Sequence, residues 1–115
     1  MSFKEIDALS LKQMISDEGD NLLLYDIRTP EEFQQGIIEG GKLVPLDSVP
    51  SMMNEIPTDK IIVFYCRSGV RSAHACEYVN EQLGLDVINL TGGIISWYQS
   101  GCELAKPNIE DSKLG

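Results

Sequence analysis

Lys60-Ile-Ile-Val-Phe-Tyr-Cys66 is followed at once by Arg67-Ser-Gly-Val-Arg-Ser72. The first half is a short, unbroken apolar run, as expected for a strand covered on both faces. The second half is a polar turn around Gly69, after which the 3.6-residue period of a helix begins. Asn21-Leu-Leu-Leu-Tyr-Asp-Ile27 repeats the strand pattern upstream. Lys42–Leu46 and Asp86–Leu90 are shorter candidates, and Phe3–Ile6 reads as an edge strand.

Helical signals fall between these strands. Ser10 with Gln13 suggests a capping box ahead of Leu11, Met14 and Ile15. Thr29-Pro30-Glu31-Glu32 combines a cap, a first-turn proline and an acidic third position. Residues 48–56 put Val49, Met52, Met53 and Ile56 on one stripe, and residues 72–83 do the same with Cys76, Val79 and Leu83. Gly92-Gly93 leads into a last helix over 94–100. Strands alternating with helices predict an α/β fold: a central parallel sheet of about five strands with helices on both faces. Ligands in such folds bind beyond the carboxyl ends of the strands. Those ends carry Asp26-Ile27-Arg28, Cys66-Arg67-Ser68-Gly69 and Leu90-Thr91-Gly92-Gly93, which should therefore converge on one sheet edge.

The chain has 115 residues, 43% hydrophobic and 23% charged, in the range of one globular domain. Its net charge of −9 argues against binding nucleic acid or anionic lipid through a broad basic face. No apolar run approaches the roughly 20 residues that span a bilayer, and the N-terminus lacks a signal-peptide pattern. The expectation is a cytoplasmic protein. Three cysteines, Cys66, Cys76 and Cys102, without CxxC spacing do not suggest a disulfide framework, and a lone His74 leaves too few partners for zinc. No metal or cofactor is expected.

All three arginines, Arg28, Arg67 and Arg71, lie in two short motifs, whereas the six lysines are scattered. Arginine holds oxyanions well because its planar fork donates several bonds and stays charged. In the turn after Cys66, successive backbone N–H groups meet the positive end of a helix dipole. Gly69 permits a positive φ that curls the amides inward. Amides, dipole and arginines all favour thiolate over thiol, which makes Cys66 the candidate nucleophile. A cysteine that simply ends a core strand is the competing reading; the flanking arginines, serine and glycine tell against it.

Cys66-Arg-Ser-Gly-Val-Arg-Ser72 resembles the active-site loop of the rhodanese family, the thiosulfate sulfurtransferases. Leu24-Tyr-Asp-Ile-Arg-Thr-Pro-Glu-Glu-Phe33 is similar to the family's strand-then-helix motif with Asp-x-Arg, and Asn89-Leu-Thr-Gly-Gly-Ile-Ile-Ser-Trp97 to its closing Gly-Gly segment. The three motifs cover most of residues 3–105. They imply one rhodanese domain over 1–106, followed by a short polar tail over 107–115. The resemblance further implies two half-reactions. Cys66 takes sulfane sulfur from a small anionic donor such as thiosulfate as a persulfide, then passes it to cyanide, a thiol or a protein acceptor. The loop Arg67, Ser68, Gly69, Val70 and Arg71 would bind the donor and stabilise the persulfide, with Asp26, Arg28 and Ser72 in support. For Arg28, a surface ion pair with Glu31 or Glu32 is the alternative. A preformed thiolate requires no general base.

The chain departs from the family pattern at Ile37, where relatives often carry histidine near the site entrance; this bears on acceptor preference. Cys102-Glu103 is a second departure. His74 should share an outer helix face with Tyr78 and Cys76 should be core. Cys102 is read as structural, with a resolving thiol as the alternative. Trp97 and Tyr98 are read as core and rim.

Two other function classes remain open from sequence. A cysteine phosphatase or arsenate reductase also cradles an oxyanion in a Cys…Arg loop, but with five intervening residues; here four separate Cys66 from Arg71. A non-catalytic rhodanese-like carrier or protein-interaction module typically lacks the cysteine or the loop charges that this chain retains.

Overall fold

Ile61–Tyr65 (β4) is the middle strand of the sheet in the computed structural model, which describes residues 3–107. Successive side chains alternate between faces, and here both faces are covered. Ile62, Phe64 and Cys66 point to one side and Val63 and Tyr65 to the other, all at most 3% exposed. Taking each of these aliphatic or aromatic side chains out of water contributes about 1.5–3 kcal/mol. β4 pairs in parallel with Leu22–Asp26 (β2) on one side and Ile88–Leu90 (β5) on the other. Lys4–Ile6 (β1) joins β5 and Lys42–Leu43 (β3) joins β2. Among the described residues the sheet is therefore five-stranded and all parallel, in the order β1-β5-β4-β2-β3.

Ala8–Glu18 (α1) and Gly93–Gln99 (α5) cover one face. Ala8, Leu11, Ile94 and Trp97 pack there on Leu22, Leu24, Val63, Tyr65 and Leu90. Val49–Met52 (α3) and Val70–Leu83 (α4) cover the other, where Val49, Ala75, Cys76 and Val79 meet Tyr25, Ile62 and Phe64. Pro30–Gln34 (α2) follows β2. It is capped as the sequence predicts: Thr29 Oγ1 accepts from Glu32 N–H, and Glu32 Oε1 accepts from Thr29 N–H at 3.0 Å.

Several boundaries differ from the sequence expectation. The cap of α1 is Asp7, whose Oδ1 accepts from Ser10 N–H at 2.8 Å, so Ser10 lies inside the helix. Starting earlier lets Ala8 and Leu11, one turn apart, both reach the core. The single helix expected over 48–56 is broken into a 3-10 turn at Leu46–Ser48, the short α3, and a second 3-10 turn at Met53–Glu55. Pro57 accounts for the end of this segment, because a residue before proline is pushed out of the helical region; Ile56 has ψ 122°. α4 begins at Val70, two residues early, and Leu83 is half-exposed, not part of the buried stripe. Residues 108–115, most of the expected tail, lie outside the described residues. Among the described residues no helix is long and apolar enough to cross a membrane.

Candidate active site

Parallel pairing puts the ends of β2, β4 and β5 at one edge, so Asp26, Cys66 and Gly92-Gly93 converge there as the topology predicts. Cys66 is the first residue past β4 and is completely buried. The chain turns through Gly69 at φ 97°, the N-cap of α4, a conformation in which a side chain would be strained. That turn aims the unpaired amides at the start of α4 at the sulfur. Gly69 N–H donates to Sγ at 3.1 Å and Ser72 N–H at 3.4 Å, while Ser72 Oγ lies 3.3 Å from it.

The loop is fastened from behind by α5. Ile94 N–H donates to the Cys66 carbonyl at 2.9 Å and Ile95 N–H to the Arg67 carbonyl at 3.2 Å. Such an approach is possible because Gly93, at φ 62°, has no Cβ; one placed there would land on the Cys66 and Arg67 carbonyls. The Gly-Gly segment thus fastens the loop through its carbonyls.

Arg28 pairs with Asp26, from Nε to Oδ1 at 2.9 Å and Nη2 to Oδ2 at 2.7 Å, both residues buried. Burial works against the Arg28 charge, but the Asp26 carboxylate more than restores it, and the guanidinium is held above its ordinary range. Nη2 also donates to the Gly36 carbonyl at 2.7 Å, and the guanidinium sits 5.8 Å from the Tyr65 ring centre. The surface ion pair with Glu31 or Glu32 is therefore not what forms. Arg28 ties β2 to the segment after α2, and its recorded bonds do not reach the 67–71 loop.

Glu32 serves Arg71 instead. The fork is bidentate, Nη1 to Oε1 at 2.8 Å and Nη2 to Oε2 at 2.9 Å. Arg71 is the largest influence on Glu32, whose carboxyl is lowered from the ordinary 4.5 to about 2. Arg67 is exposed and, among the described residues, has no recorded ion pair. It lines a cavity of about 410 Å³ with Arg28, Glu32, Gly36, Ile94 and Tyr98.

Asn89 is a site residue that motif reading missed. It is 2% exposed; its Oδ1 accepts from Ser72 Oγ, and its Nδ2 donates to the Gly69 carbonyl at 3.2 Å and Glu5 Oε1 at 3.0 Å. The available signal was a lone amide in the apolar strand Val87-Ile-Asn-Leu90.

The remaining candidates sit apart from the loop. His74 is exposed on the outer face of α4 and lines a hollow with Tyr78. Cys76 is core, and burial pushes its thiol up. Cys102 is 3% exposed, its N–H bonded to the Trp97 carbonyl, which does not suit an exposed resolving thiol. Trp97 is buried and Tyr98 is 66% exposed, core and rim as read. Ile37 is 5% exposed and pairs with Ala105, N–H to carbonyl at 2.9 and 2.7 Å, next to Gly36 in the cavity lining. Among the described residues no group of three or more His, Cys, Asp or Glu is placed to hold a metal ion.

Comparison with known proteins gives a consistent picture. The family model of the rhodanese-like domain matches residues 7–100. A sulfurtransferase of Allochromatium vinosum is 47% identical over 103 residues, spanning 90% of this chain and 95% of that protein. The thiosulfate sulfurtransferase GlpE of Pseudoalteromonas translucida is 30% identical over 97 residues, 84% of this chain and 90% of that one. The crystal structure of a rhodanese-like domain protein from Staphylococcus aureus superposes with a TM-score of 0.78 at 35% identity, over 91% of this chain and 99% of that one.

Proposed function

The chain belongs to the rhodanese-like domain family of sulfurtransferases, and from that premise we propose that Cys66 carries the transferred sulfur as a persulfide. The observation that carries this reading is the convergence of two helix-start amides, Gly69 N–H and Ser72 N–H, on a buried sulfur. Amides so placed favour sulfur bearing negative charge.

In the first half-reaction the Cys66 thiolate attacks the outer sulfur of thiosulfate. The new S–S bond forms as the S–S bond of thiosulfate breaks, and sulfite leaves with its electron pair. In the second, an acceptor nucleophile attacks the outer sulfur of the persulfide, and Cys66 leaves as thiolate. Cyanide, giving thiocyanate, serves in an assay; a thiol or a protein is the proposed acceptor in the cell. Thiosulfate as donor is supported by the likeness to GlpE. Complete burial of Cys66 favours a small donor over a bulky one. Arg67 is the proposed donor-binding cation, since it lines the cavity and has no ion pair among the described residues, whereas Arg71 is committed to Glu32. The remaining loop residues, Ser68, Gly69 and Val70, would set the curl of the amides, with Asp26, Arg28 and Ser72 in support. Three free cysteines fit the reducing cytoplasm, the proposed compartment.

The Arg71–Glu32 fork also tells against a phosphatase, which needs its loop arginine to clamp the phosphoryl oxygens. The test is thiocyanate formation from thiosulfate and cyanide, run beside hydrolysis of an aryl phosphate. We expect thiocyanate from the wild type, none above background from Cys66→Ser, and no phosphate release. Phosphate release without thiocyanate would overturn the proposal.

A further inference from the structure

The cavity beside the Cys66 loop is larger and more apolar than thiosulfate requires. Its volume of about 410 Å³ falls within the roughly 300–1,000 Å³ of sites that take organic ligands, whereas thiosulfate is a small dianion with no apolar body. The cavity abuts the loop at two points: Arg67 follows Cys66 in the chain, and Glu32 holds Arg71. Away from these the wall is Ile94, Ile95, Tyr98 and Leu104. Tyr98 is 66% and Leu104 42% exposed, two of the five large hydrophobic side chains exposed among the described residues. Scattered singly, such residues need no explanation. Two on the wall of one cavity, beside the Cys66 loop, call for an apolar ligand group.

The charges narrow the choice of ligand. Arg28 is committed to Asp26 and the Gly36 carbonyl, and Glu32 has both oxygens on Arg71, with Oε1 also accepting from Thr29 N–H. Arg67 is the one charged residue of the lining with no ion pair among the described residues. The ligand that fits therefore joins an anionic group to an apolar body. Cys66 is completely buried, so only a slender arm can reach its sulfur while the body stays in the cavity.

We propose that Ile95, Tyr98 and Leu104 form an acceptor subsite that takes the apolar body of a small organic thiol, its carboxylate at Arg67, with Tyr98 setting the preference. The inference rests on Cys66 being the sulfur carrier and names the acceptor class of the second half-reaction. Donor and acceptor can share Arg67 because they come in turn, sulfite leaving before the acceptor enters. The acceptor thiolate attacks the outer sulfur of Cys66–S–SH. The new S–S bond forms as the persulfide bond breaks, Cys66 leaves as thiolate, and the product is R–S–SH. A second thiol molecule then attacks R–S–SH in solution, giving R–S–S–R and H₂S. Thiosulfate and cyanide leave the apolar wall unused.

Two acceptors isolate the body from the rest of the ligand: 3-mercaptopropanoate and 2-benzyl-3-mercaptopropanoate. They share the thiol arm and the carboxylate and differ by a phenylmethyl group. With thiosulfate as donor, H₂S release is followed against acceptor concentration; kcat/KM for the acceptor does not depend on the loading step in an alternating reaction. The benzyl group should raise kcat/KM of the wild type about tenfold, and Tyr98→Ala should cut that preference to about twofold. Equal values in the wild type, or a full preference that survives Tyr98→Ala, would overturn the proposal and turn the reading to a protein acceptor. Thiocyanate formation in the same preparation separates the two claims. Its absence overturns both, whereas thiocyanate without the benzyl preference overturns this inference alone. Binding is read without sulfur transfer, through the S-methyl ether of the benzyl compound added to wild-type protein. It should shift the NMR methyl signals of Ile94, Ile95 and Leu104 and spare those of Ile15 and Leu23, which line a separate hollow. No shift at the first three would likewise overturn the proposal.

Discussion

Arg67 and Arg71 stand four residues apart on one loop, yet their charges have different neighbours. Arg71 is a third exposed and gives both guanidinium arms to Glu32; Arg67 faces the cavity without an ion pair among the described residues. A free guanidinium is available to a dianionic donor, whereas a paired one must first release its carboxylate. We therefore expect Arg67→Ala to raise the KM for thiosulfate by about tenfold, close to 1.4 kcal/mol, and to change kcat much less. Arg71→Ala should lower thermal stability before it touches KM. Steady-state kinetics of both variants decide this, and a KM effect confined to Arg71→Ala would contradict it. The same residue scale shows why Asn89 escaped the motif reading: its partners Ser72, Gly69 and Glu5 are 17, 20 and 84 positions away.

Between elements, two contacts hold the loop's surroundings. The first is α5 against the loop through Gly93. Gly93→Ala would force both a positive φ on a side-chain-bearing residue and a Cβ onto two carbonyls. A loss of about 2 kcal/mol or more is expected, corresponding to a fall in Tm of roughly 8–16 °C for a domain of this size. Thiocyanate formation should fall with it, because Ile94 and Ile95 N–H would lose the carbonyls they fix. A Gly93→Ala protein with native Tm and native activity would rule this out. The second contact is Glu32 of α2 against Arg71 of α4. With its folded pKa depressed from 4.5 to about 2, Glu32 contributes stability that is fully present above pH 4.5 and is lost as pH falls toward 2. Partial exposure limits this to about 1 kcal/mol or less. Glu32→Gln should therefore unfold more easily at neutral pH but show a flatter loss between pH 4.5 and 2. Acid titration of the unfolding midpoint measures this, and parallel curves for wild type and variant would contradict it.

For the whole molecule, the parts legible in the sequence are those written in local pattern. The runs over 21–27 and 60–66 are apolar on both faces and become the buried strands β2 and β4; the parallel order then brings the motif ends to one edge. The Thr29–Glu32 capping box was equally legible, because cap and partner are three residues apart. What could not be read depends on packing between distant segments: the start of α1, decided by burial of Ala8; the Glu32–Arg71 fork, 39 positions apart; the fold of Ile37 onto Ala105. Cys66 belongs to both classes, since its loop was plain in the sequence while the hydrogen bonds on its sulfur come from the turn into α4. The central claim is that this sulfur is where the transferred atom rests. Mass spectrometry of the protein incubated with thiosulfate, then digested without reductant, tests it most directly. The account predicts a gain of one sulfur atom, about 32 Da, located on Cys66 and discharged by cyanide; an unmodified Cys66 in protein that forms thiocyanate, or sulfur found only on Cys76 or Cys102, would contradict it.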